Sequence, residues 1–100
     1  MHYVMTETDQ DTVVMMTGEL TFADSARFRD MMAKIKRAGS KSILFDLKNL
    51  EFIDSAGLGL FVFLQEEMSI YGKKISLTNV RGDVERVMLL SKFHEFIKIH

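Results

Sequence analysis

The run from Ser42 to Phe63, SILFDLKNLEFIDSAGLGLFVF, changes its periodicity at one point, and that point limits what the chain can become. Upstream, Ile43 to Leu47 is an apolar stretch of strand length, the polar pair Lys48-Asn49 reads as a turn, and Phe52-Ile53 resumes the apolar run. From Ser55 onward the apolar residues recur at three and four, so a buried strand hands over to a helix at Asp54-Ser55. Ser55 is then expected at the helix N-cap, where a hydroxyl can accept from a free N–H of the first turn and contribute about 1 kcal/mol. The same position is one where a phosphate would meet free N–H groups and the positive end of the helix dipole.

Around this handover the remaining elements are legible in order. Tyr3 to Thr8 and Thr12 to Leu20 are rich in Val, Met, Thr and Tyr and are separated by the polar cluster Asp9-Gln10-Asp11, which predicts a β-hairpin. Thr21 to Asp24 has the spacing of a capping box, and beyond it Phe28, Met31, Met32 and Ile35 fall on one helical face. Lys36 and Arg37 suit the last turn, Gly39 is expected to close the helix in the left-handed conformation, and Arg27, Asp30, Lys34 and Arg37 form its solvated side. Ile43 to Leu47 lacks strict alternation, as expected of a strand covered on both faces or lying at the centre of the sheet.

The second helix is expected from Ser55 to about Tyr71, with Gly72 ending it. Gly57, Leu60, Phe61, Leu64, Met68 and Tyr71 share its core side. Its other side collects Ser55, Leu58, Gly59, Val62, Glu66 and Ser69, where Leu58 and Val62 are apolar in place of the charge a solvated helix would carry. Lys74 to Val80 predicts a further strand, Val84, Val87, Met88 and Ser91 a shorter helix begun near Gly82-Asp83, and Phe96 to Ile99 a closing strand or helical extension. The order β-β-α-β-α-β-α-β defines an α/β fold with a mixed sheet and interleaved helices, in one domain over residues 1–100.

Asp54-Ser55-Ala56-Gly57-Leu58-Gly59, following the strand at Ile43 to Leu47 and the Phe52-Ile53 pair, resembles the signature of STAS domains, in particular of bacterial anti-sigma factor antagonists. The resemblance extends along the chain, through Gly18-Glu19-Leu20 and the Val84 to Leu90 helix. It implies that Ser55 is phosphorylated by a kinase-type anti-sigma factor, which binds the unmodified form, and that a serine phosphatase reverses the step. It implies a partner surface of Asp54, Ser55, Ala56, Gly57, Leu58, Gly59, Val62 and Glu66. Two positions depart from the family pattern. Thr21 stands where many relatives carry Asp, which bears on phosphorylation and partner contacts, and Lys92-Phe93 stands where a glycine follows the third helix.

Composition narrows the alternatives. Thirteen basic against fourteen acidic residues leave a formal net charge of −1, without the basic footprint of a nucleic-acid binder. There is no cysteine, which excludes disulfides and thiolate chemistry and fits the cytoplasm. The longest apolar segment, Ala56 to Leu64, is less than half of the roughly 20 residues a membrane-spanning helix needs, so no insertion is expected. Gly57-Leu58-Gly59 lacks the third glycine of a dinucleotide fingerprint, and Ile53 stands where a hydrolase elbow requires glycine. His2, His94 and His100 show no metal spacing, and no acidic pair is placed around a pocket. The expectation is therefore a non-enzymatic binding protein without cofactor or metal, acting by a phosphoswitch at Ser55. The leading alternative is a STAS subunit of a transporter or signalling scaffold that does not switch, and a third reading is a small-ligand or nucleotide-binding module, for which the sequence offers no pocket signature.

Overall fold

The computed structural model describes Met1–His100. Its elements are β1 (His2–Glu7), β2 (Asp11–Leu20), α1 (Ser25–Arg37), β3 (Ser42–Ile53), α2 (Ser55–Ile70), β4 (Lys74–Thr78), α3 (Gly82–Leu90) and β5 (Lys98–Ile99), with 3-10 turns at Phe22–Asp24 and Phe93–Glu95. The five strands form one sheet in the order β1-β2-β3-β4-β5. β1 pairs antiparallel with β2, and every later pairing is parallel. The mixed sheet with interleaved helices is the expected one, and of the two forms expected for Phe96 to Ile99 the strand is found, over Lys98–Ile99.

Three crossovers step the sheet in one direction, and right-handed connections then bring all three helices to the same face. A single apolar cluster joins Phe28 and Ile35 of α1, Phe61 and Leu64 of α2, and Val84 and Met88 of α3 to Val14, Phe45 and Leu77 of the sheet. Phe61 is its hub: its ring meets those of Phe28 and Phe45 edge-on at 5.5 and 5.4 Å. All four apolar positions expected of α1 are buried. The other face of the sheet, with Val13, Met15, Leu44 and Asp46, is only half-buried. Burial along β3 therefore alternates, and its apolar character reflects its central place, not cover on both sides.

Lys48-Asn49 is not a turn. β3 continues through it to Ile53, and the pairing with β2 slips twice, between Met15↔Asp46 and Thr17↔Asn49 and again between Gly18↔Leu50 and Glu19↔Phe52. At each slip β3 carries one residue more than its partner, which is the signature of a bulge. The buried positions consequently pass from Ile43, Phe45 and Leu47 to Leu50 and Ile53, a change of spacing from two to three. The bulges keep apolar residues facing the core where strict alternation would have turned them out.

The helix ends show two further differences. Gly39 does not take the left-handed conformation; α1 ends at Ala38, in extended backbone, whose N–H donates to Lys34 and Ile35. Tyr71, expected in the core, is the residue closing α2 and is 50% exposed, because the helix stops one residue short of it. Gly72 does supply the left-handed residue, at φ 71°. Its N–H donates to Ser69 and that of Lys73 to Met68, the paired bonds of a Schellman ending.

Candidate functional site: a helix start pinned to strand β2

The start of α2 is built by Asp54. Leaving β3 in extended conformation, Asp54 is itself the N-cap, and Ser55 is the first helical residue. This corrects the expected cap. The physical reason is that a cap must be the last non-helical residue, and a carboxylate has two oxygens to offer where a hydroxyl has one. Asp54 uses both: Oδ1 accepts from the Gly57 N–H at 2.7 Å and Oδ2 from the Phe22 N–H at 3.3 Å. Its own N–H donates to the Leu20 carbonyl at 3.3 Å.

Gly57 makes this approach possible. A Cβ at position 57 would stand 2.5 Å from the Leu20 carbonyl oxygen and 2.7 Å from Ile53 Cγ1, so only glycine lets the first turn of α2 sit against the end of β2. The loop on the other side of this contact is held by Asp24. Its Oδ2 accepts from the Thr21 N–H at 2.9 Å and from the Thr21 hydroxyl at 3.3 Å, and its Oδ1 meets the Met1 amine at 2.7 Å. Burial pushes the Asp24 carboxyl up, but the hydrogen bonds from the Met1 amine and from Thr21, with the charge of the amine, outweigh it and hold the group below the usual carboxylate value. The carboxylate absent at Thr21 thus has a counterpart three residues on, turned inward.

Ser55 stands exposed on this rigid base, and its hydroxyl bonds no other group of the chain. The N–H groups of Ser55 and Ala56 likewise have no acceptor in the chain, as the geometry of a helix start requires once Asp54 has served Gly57. Gly59 and Glu66 are exposed in the same stripe along α2. Ala56 is half-buried toward the other flank and Gly57 is buried, so neither offers a side chain to that stripe. Leu58 and Val62 were expected as free apolar contacts; they are half-buried and pack against the core cluster. They lie at the flank of the buried arc of α2, which is wider than the periodicity suggested.

Greater apolar exposure is found at other residues, Phe22, Ile70, Leu90 and Phe96 among them. Phe22, beside Asp54 through its backbone, is 76% exposed, and Phe63 is 37% exposed with the Arg29 guanidinium over its ring at 5.5 Å. Sequence reasoning absorbed Phe22 into the capping box; its signal was a large aromatic at a loop position that the helix face could not use. No group of three or more His, Asp or Glu side chains converges to hold a metal, and no helix is long and apolar enough to cross a membrane.

Layered helices on one face of a mixed sheet, with a serine held out at a rigidly capped helix start, define a small α/β domain whose distinctive site is a surface and not an enclosed pocket. The STAS domain model matches residues 2–100, and the chain belongs to that family. It is 29% identical over 89 residues to an anti-sigma F factor antagonist of Paenibacillus polymyxa, covering 88% of this chain and 76% of that protein. It is 26% identical over 90 residues to a STAS-domain containing protein of Pseudomonas aeruginosa, covering 90% and 88%. Among solved structures, an anti-sigma factor antagonist from Mycobacterium paratuberculosis superposes with a TM-score of 0.84 at 17% identity over 99% of this chain and 84% of the other. The anti-sigma factor antagonist SpoIIAA in its unphosphorylated form gives 0.69 at 20% identity over 89% and 83%. The murine anion transporter Slc26a9 gives 0.76 at 20% identity over 90% of this chain and 15% of the transporter. At these identities the structural likenesses establish the fold.

Proposed function

We propose that the chain is an anti-sigma factor antagonist of the cytoplasm, a non-enzymatic protein acting as one domain. It binds a kinase-type anti-sigma factor while Ser55 is unmodified and is released when Ser55 is phosphorylated. The observation that carries this reading is the division of labour at the start of α2: Asp54 does the capping, and the Ser55 hydroxyl is left exposed and unbonded. Phosphorylation therefore needs no uncapping of the helix. The added group brings about −1.5 to −2 charges, partly met by the free N–H groups of Ser55 and Ala56 and by the helix dipole, and opposed by Asp54. The fold tolerates the phosphate, but a partner covering this surface would have to bury it, at a cost of several kcal/mol. ATP and magnesium belong to the kinase, and a serine phosphatase restores the binding form. The partner surface centres on Ser55, Gly59 and Glu66 with Phe22, and takes in the flanks of Leu58 and Val62.

The test is in vitro phosphorylation with the cognate anti-sigma kinase, read by intact mass. Wild type should gain one phosphate, Ser55→Ala none while still binding, and Ser55→Asp should bind at least tenfold more weakly with its fold intact. A phosphate on Ser55→Ala, or equal affinity of wild type and Ser55→Asp, overturns the switch. The likeness of this fold to a small part of the murine anion transporter Slc26a9 favours a second reading, a STAS subunit that assembles with a larger complex. Stable capture of such a complex with no phosphate on Ser55 in native cells would select it.

A further inference from the structure

The sheet ends in two unlike edges. β5 is two residues long, whereas β1 pairs with β2 over six consecutive positions without a slip and carries none of the prolines, lysines or bulges that ordinarily shield an edge strand. The Thr8 N–H donates to the Asp11 carbonyl, so Glu7 and Thr12 form a pair that exchanges no hydrogen bonds, and the alternation runs back along the strand from there. The N–H and C=O groups of Tyr3, Met5 and Glu7 consequently point away from β2. None of the main-chain bonds outside the helices and strands reaches them.

The two ends of this edge carry opposite charge. The register sets Tyr3, Met5 and Glu7 opposite Met16, Val14 and Thr12, all buried, so their side chains lie on the side of the sheet that the helices cover. There an open hollow of ≈ 570 Å³ is lined by His2, Tyr3, Met5, Arg27 and Lys34, with no acid among them. The Lys34 ammonium stands 5.4 Å from the centre of the Tyr3 ring, and the Arg27 guanidinium donates to the Met1 carbonyl at 2.8 Å. No ion pair neutralises either cation. Glu7, at the far end of the strand, is exposed and likewise unpaired.

A strand with a basic hollow at one end and a free carboxylate at the other is complementary to itself when reversed. We propose that β1 pairs antiparallel with β1 of a second copy of this chain, joining the two sheets into one. A two-fold axis perpendicular to the sheet keeps the helices of both copies on the same side, and centring it on Met5 is the one register that uses all three outward-facing residues. Met5 then faces Met5, and Tyr3 faces Glu7 of the second copy, with about six main-chain hydrogen bonds between the strands. Glu7 of each copy enters the basic hollow of the other beside Lys34, so the charge contact forms twice. The two hollows do not oppose each other, because the two Tyr3 residues are offset by four positions, about 13 Å along the edge. On the open face Val4, 67% exposed, comes beside Thr6 of the second copy. An interface of one strand edge is small beside the roughly 1,200–2,000 Å² of a stable complex, which sets the association in the micromolar range.

The experiment is sedimentation equilibrium of the purified chain from micromolar to millimolar concentration, with amide hydrogen exchange followed over the same range. Wild type should pass from monomer to dimer, and the amides of Tyr3, Met5 and Glu7 should gain protection with concentration while those of Val4 and Thr6, already bonded to β2, do not change. Met5→Pro removes an N–H that β2 does not use, so it should keep the fold and stay monomeric. Glu7→Lys should weaken the dimer at least tenfold, because both charge contacts turn from attraction to repulsion, and Glu7→Lys/Lys34→Glu should recover most of that loss. The charge exchange decides the matter even if the proline variant does not fold. A chain that stays monomeric throughout leaves the edge to a strand of some other protein and overturns the proposal. So does a dimer that a folded Met5→Pro retains, or a double variant no tighter than Glu7→Lys alone. No arm touches Ser55, so the edge and the switch succeed or fail separately.

Discussion

Gly57→Ala and Gly59→Ala make the same chemical change two residues apart on α2 and should act in opposite directions. At position 57 the new methyl would lie 2.5 Å from the Leu20 carbonyl oxygen and 2.7 Å from Ile53 Cγ1. That is roughly 1 Å inside van der Waals contact, and a backbone carbonyl cannot rotate away. Relief requires the first turn of α2 to recede from β2. The hydrogen bonds from Asp54 N–H to Leu20 and from Phe22 N–H to Asp54 Oδ2, each already 3.3 Å, would then pass beyond bonding distance. Overpacking costs about 1–3 kcal/mol and the two bonds about 1 kcal/mol each, against about 1 kcal/mol regained from the better helix propensity of alanine. The expected net loss is about 2–4 kcal/mol, a large share of the roughly 5–15 kcal/mol that stabilises a domain.

At position 59 a Cβ would meet nothing within 4 Å, so only the propensity gain of about 1 kcal/mol remains. Urea denaturation followed by circular dichroism separates the two. With a slope of about 1–3 kcal/mol/M, the midpoint of Gly57→Ala should fall by about 1–2 M and that of Gly59→Ala should rise slightly. Coincident midpoints for wild type and Gly57→Ala would show that the contact with β2 is not what requires glycine.

Asp54→Ala should lose about 2 kcal/mol, from the cap and the bond to Phe22, whereas Ser55→Ala should stay within about 0.5 kcal/mol; thermal melts showing the reverse order would return the cap to Ser55. Leu64→Ala should cost about 2–5 kcal/mol through the cavity it leaves, and half-buried Val62→Asp about 1–2 kcal/mol; a Val62→Asp protein melting with wild type would place Val62 outside the packed surface. Lys92 occupies the left-handed region at φ 56°, in the position after α3 that Gly72 holds after α2, so Lys92→Gly should gain up to about 1 kcal/mol in urea denaturation, and a loss would mean that its side chain contributes more than the backbone strain costs.

The order of elements, the fold class, the four buried positions of α1 and most of the core side of α2 are determined by the sequence itself, because each is a matter of local periodicity against one buried face. The glycine that closes α2 is of the same kind, since a left-handed residue is a local requirement. What periodicity could not reach depends on groups distant in the chain. The pair Lys48-Asn49 reads as a turn, and only pairing with Met15 to Glu19 makes it a bulge that keeps Leu50 and Ile53 inward. Asp54 and Ser55 are both good caps in isolation; the choice is made by Phe22 N–H, thirty-two residues away, which engages the second carboxylate oxygen. Leu58 and Val62 lie on the outer arc of an isolated helix, yet the width of the packed arc is set by what the sheet and neighbouring elements place against it.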